Sequence, residues 1–141
     1  MTNKVDPYDA MPSASGHAYG LHHVLLAIPV DGEDAAREFY VGVLGLTEVA
    51  KPAELAARGG LWVRSDRLEI HLGVEQNFRA QRKAHPGILV QDIDELARTA
   101  TEHGYEPEWD DTFPGMRRFY IADNNGNRLE FLANKAEQVR R

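Results

Sequence analysis

The order strand, helix, three strands runs twice along this chain of 141 residues, and that repetition leaves few folds open. In the first pass, residues 21–30 read as a strand closed by Pro29 and the Asp31-Gly32 turn. Residues 33–44 place Ala36, Phe39, Tyr40 and Val43 at three-and-four spacing, which predicts a helix with one buried face, ended by Gly45. A short strand over 46–50 follows, then a helical turn over 52–58 stopped by Gly59-Gly60. Strands 61–64 and 68–74 form a hairpin around Ser65-Asp66-Arg67. In the second pass, strand 85–90 leads into a helix with Asp92 as N-cap and Glu95 three residues on. Ile93, Leu96, Ala97 and Ala100 make its apolar stripe, and Gly104 stops it. Strands 105–110, 116–122 and 128–132 complete the pass, the last after a tight turn rich in Asn and Gly.

The predicted class is therefore α+β, with two modules over about 20–75 and 84–134 inside a single domain spanning 20–134. The polar stretch 75–84, with Phe78 as its one large apolar residue, reads as the linker between them. Residues 1–19 lack periodicity and read as a flexible arm with His17 at the surface, and 135–141 read as a tail. With 43% hydrophobic and 27% charged residues, the chain has the balance of a soluble globular protein and is long enough for one substantial core. A net charge of −6 with scattered basic residues argues against a nucleic-acid partner. No apolar run reaches the roughly 18 residues of a membrane span, and no signal peptide is visible, so the expected location is cytoplasmic.

The absence of cysteine removes thiolate ligands, so any metal must be held by His and carboxylate. Strand alternation singles out Glu130, a carboxylate among apolar neighbours that needs a partner or an ion. Partners exist: His23 and His85 each stand near the start of a module's first strand. Two His and one carboxylate predict a divalent metal site. If a pseudo-twofold axis relates the modules, His23 and His85 face one another and Glu130 faces a residue in 68–74. Arg67-Leu68-Glu69-Ile70 echoes Arg128-Leu129-Glu130-Phe131, which favours Glu69 as that counterpart, with His71 on the same face as the alternative. Alternation sends His22 to the face opposite His23, where it is structural, and the helix dipole accounts for His103. Trp62, Phe78, Trp109 and Phe113 line either a pocket or the core. Arg58, Arg79 and Arg118 hold either an anionic substrate or the surface.

Three stretches carry a resemblance: Leu21-His22-His23-Val24-Leu25-Leu26-Ala27, the segment from Phe39-Tyr40 to Leu44-Gly45-Leu46, and Asn125-Gly126-Asn127-Arg128-Leu129-Glu130. Together they make the chain, over about 21–134, similar to the vicinal oxygen chelate superfamily of glyoxalase I, fosfomycin-resistance enzymes, extradiol dioxygenases and bleomycin-binding proteins. Asp123-Asn124 replaces the usual Asp-Pro before the final glycine. The resemblance implies two βαβββ modules forming an open, cupped mixed sheet around a metal site. It implies His23, His85 and Glu130 as ligands of Fe, Ni, Zn, Mn or Co, with a fourth position at Glu69 or His71. It implies glyoxalase-like lyase or isomerase chemistry on a small oxygenated metabolite chelated by the metal, with Glu130 or Glu69 as base; from residue type, His71, Trp62 and Arg118 are the expected substrate contacts. The alternatives are an Fe(II) dioxygenase using the same triad and a non-catalytic antibiotic-binding protein. Open sheet edges point to a homodimer.

Overall fold

In a computed structural model the described residues are 15–139. Most of the arm expected over 1–19, and the last two residues of the tail, lie outside them. Two compact units are present. The first comprises residues through Phe78 apart from Gly42–Leu44, and the second comprises Gly42–Leu44 with everything from Arg79 onward.

In the first unit, β1 (Val24–Ile28), β2 (Thr47–Val49), β3 (Leu61–Ser65) and β4 (Leu68–Val74) form a sheet in the order β1-β4-β3-β2. β1 runs parallel to β4, and the other pairs are antiparallel. Helix α1 (Glu33–Arg37) continues into a wider, π-type turn over Glu38–Val43, so the single helix expected over 33–44 changes pitch midway. Its predicted stripe is nevertheless the buried one, and Phe39 and Tyr40 are fully enclosed. A short helix α2 (Ala53–Ala56) follows β2. Leu26 and Ile28 of β1, Leu61 and Val63 of β3, and Ile70 and Leu72 of β4 share the buried face. The opposite face carries Leu25, Trp62, Arg64, Glu69, His71 and Gly73.

The second unit repeats the plan. β5 (Gly87–Leu89), β6 (Glu108–Asp110), β7 (Met116–Ala122) and β8 (Arg128–Asn134) are ordered β5-β8-β7-β6, with β5 parallel to β8. Helix α3 (Ile93–Glu102) starts on Asp92, whose side chain accepts a 3.1 Å hydrogen bond from the Glu95 amide as the capping pattern predicts. Ile93, Ala97 and Ala100 of α3 are buried, as are Ile88, Phe119, Ile121, Leu129 and Phe131. The other sheet face carries Gly87, Leu89, Asp110, Arg118, Tyr120, Arg128, Glu130 and Leu132. Residues expected as a tail form a short helix α4 (Lys135–Val139).

The turn before β8 is held by Asp123, whose Oδ1 accepts from the amides of Asn125 (2.8 Å) and Asn127 (2.9 Å). It also reaches back along the chain. The Gln81 amide donates to Asn127 Oδ1 at 3.0 Å, and the Arg128 amide donates to the Gln81 carbonyl at 2.9 Å. The stretch expected as a linker is therefore tied to the closing hairpin. Among the described residues no helix is long and apolar enough to cross a membrane.

Candidate metal centre

In a parallel pair, residues across the ladder share a face. Leu25 of β1 stands opposite His71, and Gly87 of β5 stands opposite Glu130. Each lies two residues after its module's histidine, His23 or His85. The residue equivalent to Glu130 is thus His71, not the Glu69 favoured by the sequence echo. The reason is the parallel register of each module's first strand, which sets Leu25 against His71 and Gly87 against Glu130. The echoing tetrapeptides start at different ladder positions.

The contacts follow this equivalence. In the first unit the His23 ring stacks on His71, with centroids 3.8 Å apart, and Trp62 stacks on the other side at 4.0 Å. Glu69 Oε2 lies 2.7 Å from His71 Nε2. An ionised carboxylate only accepts, so Nε2 carries the proton and Nδ1 keeps its lone pair. Arg64 lies 3.7 Å from the other Glu69 oxygen. Burial pushes His71 below its ordinary value of 6.5, against the opposing pull of the Glu69 hydrogen bond, with His23 lowering it further.

That shift fixes a pH dependence. A histidine lowered on folding binds fewer protons folded than unfolded, so stability falls as pH drops below about 6.5 and levels off once the folded value is passed. Urea unfolding of metal-free protein should show a midpoint that declines through this window. The decline should be shallower in His71→Gln, and equal slopes in the two proteins would contradict it.

His22 does not occupy the far face expected from alternation. The strand begins only at Val24, so residues 21–23 are not bound by its pleat. His22 Nδ1 instead sits 2.9 Å from His23 Nδ1, which requires one ring to donate and the other to accept. This leaves Nε2 as the second nitrogen of His23.

In the second unit His85 Nδ1 lies 2.7 Å from the Lys83 carbonyl, which accepts only, so Nδ1 carries a proton. A neutral ring then turns the lone pair of Nε2 toward Glu130 Oε1, 2.8 Å away. Two electron-rich atoms at that distance need a cation or a proton between them. Ligands about 2.1 Å from an ion and at right angles are about 3 Å apart, so this pair fits one edge of a coordination shell. A ring N–H bound to a backbone carbonyl is also the usual way a ligating histidine is oriented. The chemistry of the donor pair therefore fits a divalent metal. Among the described residues no three His, Cys, Asp or Glu side chains form a ready-made ligand set.

Glu130 is buried, and its second oxygen accepts from Arg118 Nη1 at 3.0 Å. Arg118, expected at the substrate, spends its remaining edge on Asp110 and Thr112. Tyr120, opposite Glu130 on β7, sets its ring edge against His85 at 5.5 Å. Sequence alone singles out neither Tyr120 nor Asp110, and it separates His22 from the histidine it touches. The hairpin register alone would have found Tyr120. An open groove of about 950 Å³ beside Arg118 is lined by Asp94, Trp109, Asp110, Met116, Arg117 and Lys135, and neither His85 nor Glu130 lines it.

The family model for the Glyoxalase/Bleomycin resistance protein/Dioxygenase superfamily matches residues 20–131. A glyoxalase family protein from Bacillus anthracis is 44% identical, with a TM-score of 0.81 over 83% of this chain and 96% of that one. Lactoylglutathione lyase from Agrobacterium tumefaciens is 22% identical, with a TM-score of 0.60 over 82% and 95% of the two chains. The fosfomycin resistance protein FosX from Listeria monocytogenes, in a structure containing Mn(II) and 1S,2S-dihydroxypropylphosphonic acid, is 16% identical. Its TM-score is 0.68 over 86% and 98% of the two chains. These last two are likenesses of fold. No curated protein matches.

Proposed function

This chain belongs to the glyoxalase/bleomycin resistance protein/dioxygenase superfamily, and on that premise we propose a divalent-metal-dependent lyase or isomerase acting on a small oxygenated metabolite. The observation that carries the reading is the His85–Glu130 pair, two donor atoms set at ligand-edge distance with the far nitrogen of His85 already committed to a carbonyl. His85 and Glu130 supply two ligands, and His23 the third that the resemblance implies. Bound there, the ion supplies Lewis-acid stabilisation of a developing oxyanion.

The remaining work falls to side chains. A proton removed from carbon α to a carbonyl goes to the second lone pair of Glu130 Oε2, the oxygen that Arg118 orients through its other lone pair. Glu69 acts through His71, holding its ring by the Nε2 hydrogen bond, while Trp62 covers the other face.

The test is turnover of small α-carbonyl and epoxide substrates. Activity should vanish on chelation, return with one divalent ion, and proceed without dioxygen. Oxygen consumption coupled to turnover would replace this reading with a dioxygenase. Tight ligand binding without turnover would make the protein a sequestering one.

A further inference from the structure

Arg118 makes side-chain hydrogen bonds to Asp110, Thr112 and Glu130, and these partners form a chain that ends on Glu130. β6 and β7 place Asp110 directly opposite Arg118, and β8 places Glu130 one pair further along the same face. Thr112 closes the far end: its amide (2.8 Å) and hydroxyl (2.6 Å) both donate to Asp110 Oδ1. That same oxygen accepts from Arg118 Nε and Nη2, each at 3.2 Å, and Nη2 also reaches the Thr112 hydroxyl at 3.3 Å. Only Nη1 is left to point at Glu130 Oε2. The guanidinium is planar, so fixing one edge fixes the direction of the other. Phe113 and Tyr120 pack near it, with their centroids 5.2 and 5.3 Å from its central carbon. The side chain is 17% exposed, so the arrangement is shielded rather than a surface ion pair.

A carboxylate binds a metal through one oxygen or through both, and the choice changes coordination number. We propose that Arg118, held in turn by Asp110 and Thr112, is a positioning residue that occupies Glu130 Oε2 and confines Glu130 to one-oxygen ligation through Oε1. The inference rests on the metal reading above. It removes Arg118 from the substrate-gripping role expected from sequence, because its three donor nitrogens already have protein partners. It also leaves a coordination position free that two-oxygen binding would fill, which is where a chelating substrate needs room. Asp110 neutralises the arginine, so the pair delivers a hydrogen bond without a net positive charge beside the ion.

Cobalt(II) is the probe, because the intensity and position of its visible bands report coordination number. Wild type, Arg118→Met, Asp110→Asn and Arg117→Met are titrated with Co(II). Arg117 is the control, since it sits on the opposite face of β7 and donates to Asp94 at 2.6 Å. In Arg118→Met the freed oxygen should join the ion and change the bands. In Asp110→Asn the unneutralised arginine should lower affinity about 10–100-fold, the range for a lost supporting contact. Arg117→Met should match wild type in both readings. Wild-type bands in Arg118→Met, or wild-type affinity in a folded Asp110→Asn, would overturn the inference alone. A wild-type protein that takes up no cobalt would overturn the metal reading, and the inference with it.

Discussion

Glu130→Ala and His85→Ala proteins are expected to come through dialysis essentially stripped of divalent metal, with affinity lowered at least about 100-fold. The lower bound follows from what lesser changes do: loss of a contact that merely supports a ligand costs about 10–100-fold in affinity or activity. Here a ligand itself is removed. In Glu130→Ala, moreover, His85 Nε2 loses its facing carboxylate and Arg118 Nη1 loses its acceptor. His22→Ala should fall between these variants and wild type, because His22 holds His23 through the 2.9 Å contact between their Nδ1 atoms. His103→Ala, whose exposed ring bonds the Thr99 carbonyl at the end of α3, should bind metal as wild type does. Calorimetric titration and elemental analysis read all four. Wild-type metal content in both Glu130→Ala and His85→Ala would remove the proposed site.

Phe119→Ala is expected to cost about 3–5 kcal/mol, a large fraction of the roughly 5–15 kcal/mol that keeps a typical domain folded. Phe119 is fully buried at the centre of the second sheet. Its ring lies 5.1 Å from Trp109 on one side and 5.4 Å from Phe131, its partner across β7 and β8, on the other. Truncation removes two aromatic contacts and leaves a void that strands fixed by backbone ladders cannot close. In urea the midpoint should drop with an unchanged slope, and the melting temperature should fall by on the order of 10 °C. Leu89→Ala is the contrast. Leu89 has the same apolar character but is 75% exposed, so its loss should stay within about 0.5 kcal/mol. A Phe119→Ala protein as stable as Leu89→Ala would mean that this ring cluster is not where the second unit is held together.

The apolar residues of the strands show how far a sequence reads. Alternation places Ile70, Leu72, Leu129 and Phe131 on buried faces, and all four are buried. The helix stripes are nearly as plain: Ala36, Phe39, Tyr40 and Val43 are enclosed, as are Ile93, Ala97 and Ala100, while Leu96 of the second stripe is only half-buried. Alternation says nothing about which apolar residues stay on the polar face, and Leu25 and Leu89 do. It also fails where a strand has not yet begun, which is why it separates the rings of His22 and His23 that the structure pairs. The choice between Glu69 and His71 is illegible for another reason. It depends on the register of parallel strands far apart in the chain, which local similarity does not report. The contacts of Arg118 stay hidden in the sequence because Asp110 and Glu130 flank it only once three strands are side by side.

Gln81 gives its amide and its carbonyl to the residues that open the last strand, so the passage between the halves acts as a brace and not as slack. Extra residues spliced into that passage would be felt at the carboxylate two positions beyond Arg128. The exposed hairpin tip at Asp66 and Arg67 serves only the turn between β3 and β4, which makes it the better place to lengthen this chain.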